Sequence, residues 1–172
     1  MDYLEVSKYV IPAAIVFFTV WVIIYKYFTN IEKMRKVDMM IENRKIIVPL
    51  RLQAYERIIL FMERISPESL VMRVNQSNMN ARQLQTELLS SIRAEFEHNL
   101  SQQLYISPEG WEMVRNARAI TIQLINTASD QIKPDAPSIN LSAKILDMIM
   151  EADKAPTGAA IEFLKKEVQS LF

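Results

Sequence analysis

The sequence predicts an all-α protein: one N-terminal transmembrane helix followed by a soluble bundle of five or six helices. Three observations predict it. Tyr9 to Tyr25 (YVIPAAIVFFTVWVIIY) is a run of 17 residues without a charge. The chain holds only two glycines, Gly110 and Gly158, in 172 residues, where average usage of about 7% would give roughly 12. From Leu50 onward the apolar residues recur at helical spacing rather than alternating.

The run from Tyr9 to Tyr25 supplies about 25 Å of helix, and a hydrocarbon core about 30 Å thick takes roughly 20 residues. Lys26 extends the span by snorkelling, with Tyr27 and Phe28 adding apolar surface, so the transmembrane helix is placed at 9–28. Tyr9, Trp21, Tyr25 and Lys26 form the membrane anchor at its ends, where amphipathic rings favour the interface. Pro12 falls in the first turn, where a missing N–H costs little. A buried core helix of this length would carry a polar face. A signal peptide would show a positive n-region and a small-x-small cleavage site, and Asp2, Glu5 and Lys8 with Lys26-Tyr27-Phe28 supply neither. Lys8 stands alone before the span, against Lys26, Lys33, Arg35, Lys36, Arg44 and Lys45 after it. The positive-inside rule therefore places residues 1–8 outside the cytoplasm and the rest within it.

Residues 29–48 continue as a juxtamembrane helical extension, and Pro49 is expected to break or kink it. Residues 49–172 form the cytoplasmic all-helical domain. Leu50 to Ile65 is apolar on more than one face and is expected to be its central helix, with Ile59 in the core. Ser66-Pro67-Glu68 starts a short helix to about Val74: a capping hydroxyl, proline at the first position, an acid against the dipole. Ser107-Pro108-Glu109 repeats that chemistry and opens a helix to about Ala128. Asn80 caps a long helix to about Tyr105, with an i+4 row of Leu84, Leu88, Ile92, Phe96, Leu100 and Leu104. Lys133 to Ser138 (KPDAPS) is a loop. Helices follow over Leu141–Ala152 and from Thr157 to Leu171.

The composition excludes several activities. Formal net charge is zero, which gives no support to nucleic-acid binding. With no cysteine, disulfides, thiolate chemistry and cysteine-ligated zinc are excluded. Two glycines cannot write a phosphate-cradling loop or a dinucleotide fingerprint. Glu95-x-x-His98 is the one metal-like spacing. Di-iron bundles use two such pairs, and this chain has one histidine; His98 also falls opposite the apolar row. No catalytic, cofactor-binding or metal-binding residue is assigned, no cofactor is expected, and the protein reads as a non-enzyme.

Partners are the lipid bilayer and another membrane or cytoplasmic protein. Lys33, Arg35 and Lys36 read as topology signals diluted by Glu32 and Asp38, and Asp38 interrupts the seam along which two copies would pair. Homo-oligomerisation stays possible on other surfaces. Ile161, Leu164, Val168, Leu171 and Phe172 make an amphipathic stripe that packs on its own domain or offers a partner surface.

Arg51–Arg64 (RLQAYERIILFMER), Glu95–Pro108 (EFEHNLSQQLYISP) and Ala160–Phe172 (AIEFLKKEVQSLF) resemble an uncharacterised family of small Bacteroidetes membrane proteins. The resemblance runs along nearly the whole chain. It implies a bacterial inner-membrane protein with a cytoplasmic helical domain and brings no activity or catalytic residue. The expected function is that of a membrane-anchored interaction protein: an adaptor, a scaffold or an accessory subunit. The alternative is a tethered sensor holding a small apolar ligand between helices, in a cavity lined by residues such as Phe61, Met62 and Phe96.

Overall fold

The computed structural model describes residues 3–152 and 155–170 and, among them, the side chains other than those of 3–13, 36, 37 and 43. Six α-helices follow in chain order: α1 Tyr3–Arg64, α2 Pro67–Val74, α3 Ala81–Asn99, α4 Pro108–Asp130, α5 Ser138–Glu151 and α6 Gly158–Ser170. A 3-10 segment, η1 (Leu100–Leu104), joins α3 to the loop before α4. There is no strand among the described residues, only an isolated bridge between Asn80 and Pro137.

The chain divides into two compact units, Met1–Val48 and Pro49–Phe172. α1 passes through Pro49 without a break, so of the break or kink expected there the break does not occur. Proline removes one backbone donor and crowds the carbonyl four residues back. Beyond it the helix is held by packing, with Ala54, Tyr55 and Ile58 buried.

In the first unit, α1 from Ala14 is long and apolar enough to cross a membrane, and none of its apolar window is buried by protein. Trp21 and Tyr25 are 62% and 65% exposed, and Lys26 is exposed too. The Tyr9 side chain lies outside the described residues.

In the second unit, α1 contributes Ala54, Tyr55, Ile58, Phe61, Met62 and Ile65 to the core. Ile59, expected at the centre, is only partly buried, and Leu60 is exposed. α4 packs on α3, α5 and α6, while α3 also packs on α2 and α5. Each fully buried large aliphatic or aromatic side chain contributes about 1.5–3 kcal/mol before ordering entropy is charged against it.

The helix starts follow their caps. Asn80 Oδ1 accepts from the Gln83 amide at 2.9 Å, and Gln83 Oε1 accepts from the Asn80 amide at 3.0 Å, a reciprocal capping box. Ser107 Oγ accepts from the Gly110 amide at 2.9 Å. Ser66 precedes Pro67 without a side-chain cap bond; the proline at the first position does the work there. α5 starts three residues earlier than expected, at Ser138.

One apolar row departs from expectation. Leu84, Leu88 and Ile92 are buried, but Leu100 and Leu104 are exposed. On α4, Ile120 is exposed, and Thr121 and Ile125 take the buried face. The Thr121 hydroxyl is satisfied inside the core by donating to the Ala117 carbonyl at 2.9 Å.

Candidate functional site

Three helices bring charge together on one side of the second unit. Arg64 comes from the last turn of α1, Arg73 from the last turn of α2, and Glu95 from α3. Arg64 Nη2 lies 2.8 Å from Glu95 Oε1, and Arg73 Nη2 lies 3.9 Å from the same oxygen. The guanidinium side chains are 47% and 38% exposed and the carboxylate 17%, so water screens the pairs and each contributes at most about 1 kcal/mol. Asn99 is buried, and its Nδ2 donates to the Glu95 carbonyl at 2.9 Å, which fixes this turn of α3. A groove of about 230 Å³ runs here past Arg57, Leu60, Phe61, Arg64 and His98. A second of about 360 Å³ continues past Arg73, Ser91 and Ala94. His98 is exposed, as its angular position implies, yet it lines both grooves beside Glu95. Chemically the place is rich in hydrogen-bond donors and short of acceptors.

A second polar cluster lies where α1, α4 and α6 meet. Tyr55 is buried, and its hydroxyl makes no hydrogen bond of good geometry. Glu167, Arg51 and the Ser107 backbone are the polar groups around it. Arg51 Nε donates to the Tyr105 carbonyl at 3.1 Å. Burial pushes the Tyr55 phenol above its ordinary 10.0, and the Glu167 carboxylate beside it pushes the same way. The folded state therefore holds this proton more tightly than the unfolded chain. The stabilisation is fully present below pH 10.0 and is lost as pH rises through the folded value. Tyr55→Phe is expected to leave stability at neutral pH within about 1 kcal/mol, because no formed hydrogen bond is removed. It should also flatten the alkaline fall in melting temperature. An alkaline limb as steep as wild type would refute that assignment.

Glu167 Oε2 approaches the first turn of α4 so closely that a Cβ on Gly110 would meet it at 2.7 Å, with Ile106 Cγ2 and Ser107 Oγ each at 3.0 Å. Gly110 is there for space, and a carboxylate near a helix N-terminus has favourable polarity. Gly110→Ala would gain about 0.8–1 kcal/mol of helix propensity. Three contacts at or under 3.0 Å set an overpacking cost of about 1–3 kcal/mol against that gain. The expected result is a lower thermal midpoint by circular dichroism; an unchanged or raised midpoint would mean that Glu167 moves aside freely.

Between the clusters stands an aromatic column. Phe61 and Phe96 have ring centroids 6.0 Å apart, and Phe96 stacks on Trp111 at 5.7 Å and 26°. The Arg118 guanidinium lies 4.1 Å from the Phe96 centroid, an attraction of about 0.5–2 kcal/mol. Phe61 and Met62 are buried, and Phe61 also lines the groove of about 230 Å³.

The stripe proposed as a partner surface is turned inward at its start. Ile161 is 8% exposed and Leu164 fully buried, with Val168 packed against the core. The α6 face packs on α4, with Ile161 and Leu164 buried and Val168 partly buried. Leu171 and Phe172 lie outside the described residues. Sequence reasoning missed the Arg64–Glu95–Arg73 network and the Tyr55–Glu167 approach. The Glu95-x-x-His98 spacing was weighed only as a metal pair and set aside; Glu95 is engaged by guanidinium.

These features define an all-α protein with one long N-terminal helix apolar enough to span a membrane and a helical domain with a donor-rich groove. The chain belongs to a family of unknown function (DUF7935), matched over residues 1–171. No curated protein and no solved structure matches it.

Proposed function

We propose that the protein is a membrane-anchored, non-enzymatic interaction protein of the bacterial inner membrane, serving as an adaptor, scaffold or accessory subunit. One observation carries the reading: the apolar stretch of α1 has no protein covering it. A soluble core helix of that composition would be buried, because exposed apolar surface on this scale has to be met by lipid or by another protein. Thr19 supports the lipid choice, since its hydroxyl donates to the Ile15 carbonyl at 2.7 Å and leaves no unpaired donor facing hydrocarbon. Phe17 and Trp21 lie together on the helix surface, rings 6.4 Å apart. The lysine and arginine bias favours a cytoplasmic domain with the N-terminus outside. Family membership adds a whole-chain match; the Bacteroidetes setting rests on the resemblance of the three stretches quoted above.

Purification of the tagged protein at native level in mild detergent, with mass spectrometry of what co-elutes, tests this. A stoichiometric protein partner is expected. A lone protein of one defined mass would overturn the adaptor reading. A cysteine at position 3 that labels only from the cytoplasmic side would overturn the orientation.

A further inference from the structure

We propose that the groove between α1 and α3 is where the partner docks an acidic, amphipathic helix. The proposal rests on the adaptor reading and deepens it. Residues 49–172 carry 13 lysines and arginines against 15 aspartates and glutamates, a net charge of −2. The groove runs the other way: Arg57, Arg64 and Arg73 surround a single carboxylate, Glu95. Those donors are largely unspent. Arg73 stands 3.9 Å from Glu95, beyond hydrogen-bond reach, and Arg57 makes no hydrogen bond or ion pair among the described residues. Glu95 receives both nearer arginines on one oxygen, and Arg57 lines the same groove without an ion pair among the described residues.

The spacing selects the occupant. Arg57, Leu60 and Arg64 fall at i, i+3 and i+7, on one face of α1. Leu60 is 57% exposed between the two arginines. Two turns of helix put Arg57 and Arg64 about 10.5 Å apart along the axis. A partner helix with two carboxylates seven residues apart and an apolar side chain between them matches that face in charge and in repeat. Its carboxylates meet guanidiniums in a geometry that allows two parallel hydrogen bonds each, and its apolar residue covers Leu60. A single small anion would use the charge and leave Leu60 exposed.

The test uses the full chain in detergent micelles and a capped helical peptide of about 18 residues, long enough to hold a helix, carrying Glu, Leu and Glu at that spacing. Its control replaces both Glu by Gln. His98 is the single histidine of the chain, so its imidazole NMR signals report on the groove without ambiguity. Saturable displacement of those signals by the Glu peptide, absent with the Gln peptide and weakened at least about tenfold by Arg57→Gln with Arg64→Gln, is expected; that loss corresponds to about 1.4 kcal/mol. Both arginines are exposed, and an unchanged melting curve confirms that the double variant folds. No saturable shift, or equal binding by the double variant, overturns the proposal. Displacement by phosphatidylglycerol vesicles but not by the peptide also overturns it and assigns the groove to lipid headgroups. Co-purification separates the two levels. A partner retained on the double variant removes the groove and leaves the adaptor reading standing; a wild-type chain with no partner removes the adaptor reading itself.

Discussion

Ile58→Asp is expected to unfold the second unit while leaving the apolar half of α1 intact. Ile58 is fully buried on the central helix, flanked by buried Tyr55, Phe61 and Met62. Removing the side chain forfeits about 1.5–3 kcal/mol of burial. An unpaired carboxylate in its place costs several kcal/mol more, because the buried side chains flanking it, Tyr55, Phe61 and Met62, carry no positive charge. Together these rival a whole domain stability of about 5–15 kcal/mol. Limited proteolysis of the detergent-solubilised chain should show residues 49–172 cut rapidly, with a loss of cooperative melting by circular dichroism. A variant with the wild-type midpoint would show that the core is not organised around this helix. Ile59→Asp should do less, since Ile59 is only partly buried.

Val16→Asp with Val20→Asp is expected to release the protein from membranes. Both positions are exposed on the apolar stretch, so neither is needed to hold the chain's own fold together. An aspartate at the middle of a membrane helix costs about 2.5–3.5 kcal/mol on insertion scales, and two approach the whole driving force of a single span. Wild type should stay in the pellet after alkaline carbonate extraction, and the double variant should leave it. Unchanged pelleting of the variant would remove the transmembrane reading.

What the sequence made legible was local. Asn80, Ser107 and Pro67 announce helix starts because a cap is made by residues three or four positions apart. The burial of Leu84, Leu88 and Ile92 follows from one regular repeat. The same row fails at Leu100 because an i+4 row drifts about 40° per step, and at Leu104 the tightening into η1 adds to that drift. Three residues per turn instead of 3.6 advance each side chain by about 120° rather than 100°, which swings the row away from the core. The stripe of α6 was legible as amphipathic, but an apolar face reads the same whether it covers its own core or a partner's. The Arg64–Glu95–Arg73 groove was invisible because its members sit on three helices, and only their packing makes them neighbours. The break allowed for at Pro49 does not occur: its missing donor is a local fact, while the persistence of α1 depends on packing beyond it.

The bridge between Asn80 and Pro137 has a kinetic consequence. A helix ordinarily leaves its first four amides to water, and those of α3 are all spent on protein. Asn80 donates to the Gln83 side chain at 3.0 Å, Ala81 to the Ala136 carbonyl at 2.8 Å, Arg82 to the Pro134 carbonyl at 3.2 Å and Gln83 to the Asn80 side chain at 2.9 Å. The Ser138 amide returns to the Met79 carbonyl at 3.1 Å. The clasp joins segments far apart in sequence, so it opens only when α3 and α5 part. In deuterium oxide the amides of Ala81 and Arg82, which at most helix ends exchange first by fraying, should exchange as slowly as those in the middle of α3. The front of this helix thereby becomes a gauge of global opening.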